Sequence, residues 1–105
     1  MKLVIASILT AAGLMIAGSA YAVAMPPLAQ KNGCVGCHAI DHKVLGPAWM
    51  DVAKKYKGKK GAAAELVAKV KKGGSGVWGA VAMPPQAASK ADVKKLVKFI
   101  LSLAK

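Results

Sequence analysis

Five residues constrain this chain more than any others. Cys34-Val35-Gly36-Cys37-His38 sets two thiols three positions apart, with an imidazole directly after the second. These are the only cysteines in 105 residues. Three chemistries use such a cluster. A redox disulfide of the C-x-x-C kind belongs beside strands and a helix in a thioredoxin-like setting. A zinc site would draw on Cys34, Cys37, His38 and His42. Zinc spacings separate the two ligand pairs by about a dozen residues or more, whereas these four fall between positions 34 and 42. Adjacent Cys37 and His38 would also strain to share one tetrahedral ion. The third chemistry is covalent heme attachment, for which C-x-x-C-H is the signature. Positions i and i+3 of a helical turn lie on one side. Two thiols there can add to the two vinyl groups along one side of a porphyrin. His38 then lies under the ring centre with a nitrogen for iron. The spacing favours this third reading.

The start of the chain, MKLVIASILTAAGLMIAGSAYA, reads as a secretory signal peptide over residues 1–22. Lys2 is a minimal basic region, Leu3 to Ala17 is mostly apolar, and Ala20-Tyr21-Ala22 matches the small-x-small pattern before a cleavage site. The competing reading is a retained anchor. No charge occurs between Leu3 and Gln30, so the run is long enough to span a bilayer. Gly13, Gly18 and Ser19 loosen its end and favour cleavage. Cutting after Ala22 leaves residues 23–105, a domain short enough to need a staple. Export implies an oxidising compartment. A disulfide, metal or cofactor could all serve there, and a heme would supply a large apolar centre for short helices to cover.

The formal net charge is +12, and all sixteen basic residues are lysines. Nucleic-acid readers lean on arginine for bidentate contacts, and no aromatic-rich basic motif appears. Nucleic acid is therefore excluded as a partner. The charge suits long-range steering toward acidic partners or surfaces.

No segment alternates cleanly enough for a strand, while helical periodicity recurs. A short helix from about Pro27 to Gly33 is expected from the Pro-start and Gly-stop rule. Trp49, Val52, Ala53 and Tyr56 form a stripe at i, i+3, i+4, i+7 between Gly46-Pro47 and Gly58. Ala63, Leu66, Val67 and Val70 form a second stripe, ending in Lys69, Lys71 and Lys72 before Gly73-Gly74. Ser89 and Asp92 open the last helix in capping-box fashion. Val93, Leu96, Val97, Ile100 and Ala104 follow on one face. The fold class is all-α.

Residues 73–89, GGSGVWGAVAMPPQAAS, make a long loop that holds Trp78 and Met83. Such loops in compact domains are functional or disordered, and one wrapped around something apolar explains these side chains. Met83 is the favoured sixth ligand to a heme iron, because Pro84 and Pro85 stiffen the backbone after it. Its rivals are weaker. Met25 sits near the cleavage point, where chains fray. Met50 borders the apolar stripe of its helix. His42 lies too close to His38 in the chain to reach the other heme face.

Residues 30–105 resemble a short bacterial class I cytochrome c of the cytochrome c-551 (c8) type. NGCVGCHAID, LGPAW, GVWGAVAMPP and the C-terminal helix occur in that family's order. The resemblance implies short helices wrapped around one covalently bound heme c. It implies Cys34 and Cys37 as thioether anchors, His38 as proximal ligand and Met83 as distal ligand. Pro47, or the backbone beside it, would pack by the His38 ring and orient it. Trp78 would donate its indole N–H to a heme propionate, and Lys69 would stand near one. Where the family often carries Asn after the Pro pair, bonded to the methionine sulfur, this chain has Gln86.

His/Met ligation raises the reduction potential and leaves no vacancy on iron. The expected function is thus periplasmic electron transfer through an exposed heme edge, by a monomer that is not an enzyme. Its partners would be redox proteins with acidic docking surfaces, met transiently. A membrane would take part only through a retained leader. The alternatives are a heme subunit of a larger oxidase or reductase complex, and a heme enzyme or gas sensor with a labile Met83.

Overall fold

The computed structural model describes residues 23–104, so the expected signal peptide over 1–22 lies outside the described residues. Four α-helices and one 3-10 turn make up the regular structure, and no strand forms among the described residues. Among the described residues β-type backbone pairing is confined to two isolated bridges, His38 with Lys43 and Gly74 with Met83.

Helix α1 spans Pro27–Lys31, with proline in its first turn. A missing N–H costs nothing there, because the first helical donors have no partner inside the helix. The helix stops two residues before Gly33. Asn32 folds its amide back onto the Leu28 carbonyl at 2.9 Å, and Gly33 takes a left-handed φ of 73°. That bend delivers the chain into the 3-10 turn Cys34–Gly36.

Helix α2, Trp49–Tyr56, has no side-chain cap. Two of its free N-terminal donors are satisfied by tertiary contact instead. Trp49 N donates to the Ala39 carbonyl and Met50 N to the Ile40 carbonyl, each at 2.9 Å. These bonds tie the segment just after His38 to the start of α2. The helix buries Trp49, Val52, Ala53 and Tyr56, the stripe expected from spacing.

Helix α3 spans Ala62–Lys72 and buries Ala62, Leu66 and Val67. Ala63, expected on this stripe, is exposed. The helix starts one residue earlier, and Ala62 stands one full turn before Leu66, so it takes the inward place. Val70 is only half-buried. Glu65 in the first turn and three lysines in the last complement the helix dipole.

Helix α4, Lys90–Ser102, starts on Ser89, whose hydroxyl oxygen accepts the Asp92 N–H at 3.1 Å. Its buried face is Val93, Leu96, Val97 and Ile100. It ends before Ala104. This helix is the hub, packing against α3, α2 and α1. Val93 and Val97 are its most enclosed side chains.

Two substitutions test this packing by guanidinium unfolding of the holoprotein. Leu66→Ala empties the α3–α4 contact and is expected to cost about 2–5 kcal/mol. Ser89→Ala removes the α4 cap and is expected to cost about 1 kcal/mol.

Candidate heme site

The fold brings together three stretches that are far apart in the chain. Residues around the 3-10 turn, the Leu45-Gly46-Pro47 corner and the 73–86 loop line one cleft. Trp49, Val52, Leu96, Val97 and Ile100, from α2 and α4, complete its lining. Cys34, Cys37, His38 and Met83 all face this cleft.

The cysteine end is set by a tight turn. Cys37 N donates to the Cys34 carbonyl at 3.2 Å and His38 N to the same oxygen at 2.9 Å. Cys34 and Cys37 are half-buried free cysteines. Burial pushes the Cys34 thiol above its ordinary value; its own backbone hydrogen bond offsets part of this, and nearby Cys37 adds to it.

His38 is held from several sides. Its Nδ1 lies 2.8 Å from the Pro47 carbonyl oxygen. A carbonyl can only accept, so Nδ1 carries the proton and Nε2 keeps a lone pair. Thus the Pro47 backbone, and not its ring alone, orients the imidazole. Gly46 N donates to the Cys37 carbonyl at 2.8 Å. A Cβ on Gly46 would come within 2.6 Å of His38 Cε1, so only glycine lets the backbone pass this close to the ring. The Trp49 ring lies 5.9 Å from the imidazole, centroid to centroid.

Met83 sits on a strap returned to α3 by its backbone. Gly74 N donates to the Met83 carbonyl at 2.9 Å, and Met83 N to the Gly74 carbonyl at 2.8 Å. Farther on, Gln86 N donates to the Val70 carbonyl at 3.1 Å. Gly73 closes α3 with φ 71°. A Cβ there would overlap the Met83 carbonyl and lie 2.7 Å from Pro85 N.

The remaining candidates separate clearly. Trp78 and Lys69 line the cleft. Trp78 is 41% exposed, with Lys55 Nζ 5.6 Å from its ring centroid. Gln86 also lines the cleft, and its side-chain nitrogen donates to the Pro84 carbonyl at 2.7 Å. Met25 is not frayed; it packs against the hydrophobic core. Met50 is half-buried, and neither methionine lines the cleft. His42 is exposed and bonds Asp41 at 2.8 Å. Among the described residues no three His, Cys, Asp or Glu side chains gather as a metal site, so the zinc alternative has no ligand cluster. Spacing alone missed Gly46 and the apolar rim of Leu45, Val77 and Val81, which line the cleft while the rim side chains stay exposed. The one available signal was an apolar residue beside a loop glycine, as at Leu45-Gly46 and Gly76-Val77; Val81 carried none.

Two thiols, an imidazole lone pair and a thioether in an apolar cleft suit a soft, flat, covalently attached iron porphyrin. The class so defined is a small all-α heme protein. A cytochrome c family model matches residues 26–104. The chain is 54% identical over 76 residues to cytochrome c-552 of Hydrogenobacter thermophilus, covering 72% of this chain and 78% of that one. It is 47% identical over 94 residues to cytochrome c-551 of Pseudomonas aeruginosa, covering 90% of each. The crystal structure of wild-type Nitrosomonas europaea cytochrome c552 matches with a TM-score of 0.71 at 51% identity, covering 72% of this chain and 95% of that one. The chain belongs to the cytochrome c family of small electron carriers, and it binds one heme c covalently.

The strap contact at Gly73 can be isolated from backbone strain. Gly58 has nearly the same φ, 72°, but a Cβ there would meet nothing within 4 Å. Gly58→Ala is expected to cost about 1 kcal/mol. Gly73→Ala is expected to cost more by about 1–3 kcal/mol, because the strap must also move. Thermal unfolding of the two holoproteins checks the difference.

Proposed function

We propose that this chain is exported, cleaved after Ala22, and works as a periplasmic, monomeric carrier of one electron over residues 23–105. The observation that carries this reading is the convergence of Cys34, Cys37, His38 and Met83 on one apolar cleft. Bound there, the heme supplies an iron that exchanges one electron between Fe(II) and Fe(III).

The residues divide the work. Cys34, which opens the 3-10 turn, and Cys37, which caps it, would anchor the group as thioethers. His38 offers Nε2 as proximal ligand, with its ring angle held by the Pro47 carbonyl and by Gly46. Met83 offers its sulfur as distal ligand. A neutral thioether and a neutral imidazole add no charge to the site, which favours the reduced state and a raised potential. With His38 and Met83 both ligating, the iron would keep no position open for dioxygen or peroxide, which supports an electron carrier and not an enzyme. The apolar lining from Trp49, Val52, Leu96, Val97 and Ile100 keeps water from the interior face. Trp78 and Lys69 line the cleft and would donate to the heme propionates. The Gln86 nitrogen already serves Pro84, so its second N–H is the one left for the Met83 sulfur.

Leu45, Val77, Trp78 and Val81 leave an apolar rim at the cleft mouth. A rim this small suits a brief redox encounter. The lysine-rich surface steers acidic redox partners to it, and the effect is screened by salt.

The optical spectrum of the purified holoprotein, with pyridine hemochrome analysis, tests heme type and ligation together. Sharp reduced bands and a weak red-edge sulfur-to-iron band are expected. Met83→Ala is expected to abolish the weak band and lower the potential; its persistence would assign the sulfur to Met25 or Met50. Electron exchange with an acidic partner is expected to slow as ionic strength rises, and a flat response would remove steering. Mass spectrometry of the exported protein is expected to show a chain beginning at Val23 with one heme attached.

A further inference from the structure

We propose that Lys71 is the positioning residue that clamps the Met83 strap onto helix α3. This rests on the reading of Met83 as the distal ligand. A lysine in the last turn of a helix ordinarily extends into water. Lys71 instead turns its ammonium inward over the stretch that follows the proline pair. Its Nζ donates to the Ala88 carbonyl at 2.5 Å and lies 3.4 Å from the Gln86 carbonyl. The side chain is half-buried. Its neighbour Lys72 is exposed.

The strap depends on few attachments. Residues 84–88 form no regular structure, and Pro84 and Pro85 have no N–H to donate. On the upstream side, Met83 is held by its two-way backbone pairing with Gly74. On the downstream side, one backbone bond, Gln86 N to Val70 O, reaches α3. Ala88 packs against the core, and Lys71 supplies the remaining polar hold downstream as the only charged donor among these contacts. A charged donor to a carbonyl is stronger than a neutral one. Its loss would leave two strap carbonyls without that partner, and the strap could swing out about Gly73 and Gly74 while the helices stay packed. Such a local opening is what releases a methionine from iron without global unfolding.

Imidazole titration of the oxidised holoprotein measures this opening, because imidazole takes the distal position only when Met83 leaves. The sulfur-to-iron band reports the exchange. Lys71→Met is expected to lower the imidazole concentration at half-loss of the band by about tenfold, the worth of one charged hydrogen bond. Lys71→Arg, which keeps a charged donor, is expected to restore most of the wild-type value. Lys72→Met is expected to leave it unchanged. Far-UV circular dichroism confirms that the helices are retained. Should Lys71→Met not accumulate as a folded holoprotein, Lys71→Gln carries the same comparison. If the wild-type protein shows no sulfur-to-iron band, the Met83 reading fails. If the band is present but the midpoint does not move in the Lys71 variant, or moves equally in Lys72→Met, the clamp is overturned and the Met83 reading stands.

Discussion

The hydrogen bond between His38 Nδ1 and the Pro47 carbonyl, 2.8 Å long, is where fold and chemistry meet. It fixes the imidazole tautomer and the ring angle in one step. It also requires the backbone at residues 46 and 47 to pass directly against the ring, which only a glycine at 46 permits. That corner is held in turn by Gly46 N on the Cys37 carbonyl and by α2 donors on Ala39 and Ile40. The cysteine turn, the histidine and the start of α2 therefore form one connected unit. Moving any member moves the imidazole.

Met83 is positioned by a different principle. His38 follows Cys37 immediately, so its placement is local. Met83 lies far along the chain and reaches the same cleft only because α3 ends on a left-handed glycine and the returning strap is pinned to that helix end. The carbonyls near the C-terminus of α3, which helices leave without internal partners, serve as the docking points. Val70 and Gly74 accept strap N–H groups, and Lys71 reaches back in the opposite sense. A helix terminus that must be satisfied anyway is thereby used to hold the far side of the cleft.

The core and the cleft share residues. Trp49, Val52, Leu96, Val97 and Ile100 belong to the buried helical interior and also line the heme cleft. The core of so short a domain is small, and covering a heme extends it. The helices bury one apolar face each and turn most of their lysines outward, Lys69 and Lys71 of α3 being half-buried, so solvation and long-range charge come largely from the same side chains. The apolar rim of Leu45, Val77, Trp78 and Val81 at the cleft mouth interrupts that charged surface.

The amino-acid sequence by itself determined the elements with short-range physics. The turn through Cys34-Val35-Gly36-Cys37-His38, the stripe of α2, the α4 stripe from Val93 to Ile100, the Ser89 cap and the glycine stop after α3 are patterns within a few residues, and each formed as expected; Ala104, also expected on the α4 face, lies beyond the end of that helix. At the start of α3 spacing allowed either Ala62 or Ala63, since both stand about one turn before the Leu66-Val67 pair, and only packing decided that Ala62 is the one buried. What only the tertiary structure decided has no such local signature. A carbonyl is identical at every residue, so nothing in the chain marked Pro47 O as the partner of His38. Sixteen lysines look alike in one dimension, and Lys71 differs from Lys72 only because the strap happens to lie over one face of α3. Met25 looked like a loose end and proved to be core packing, since burial depends on what the rest of the fold brings to it.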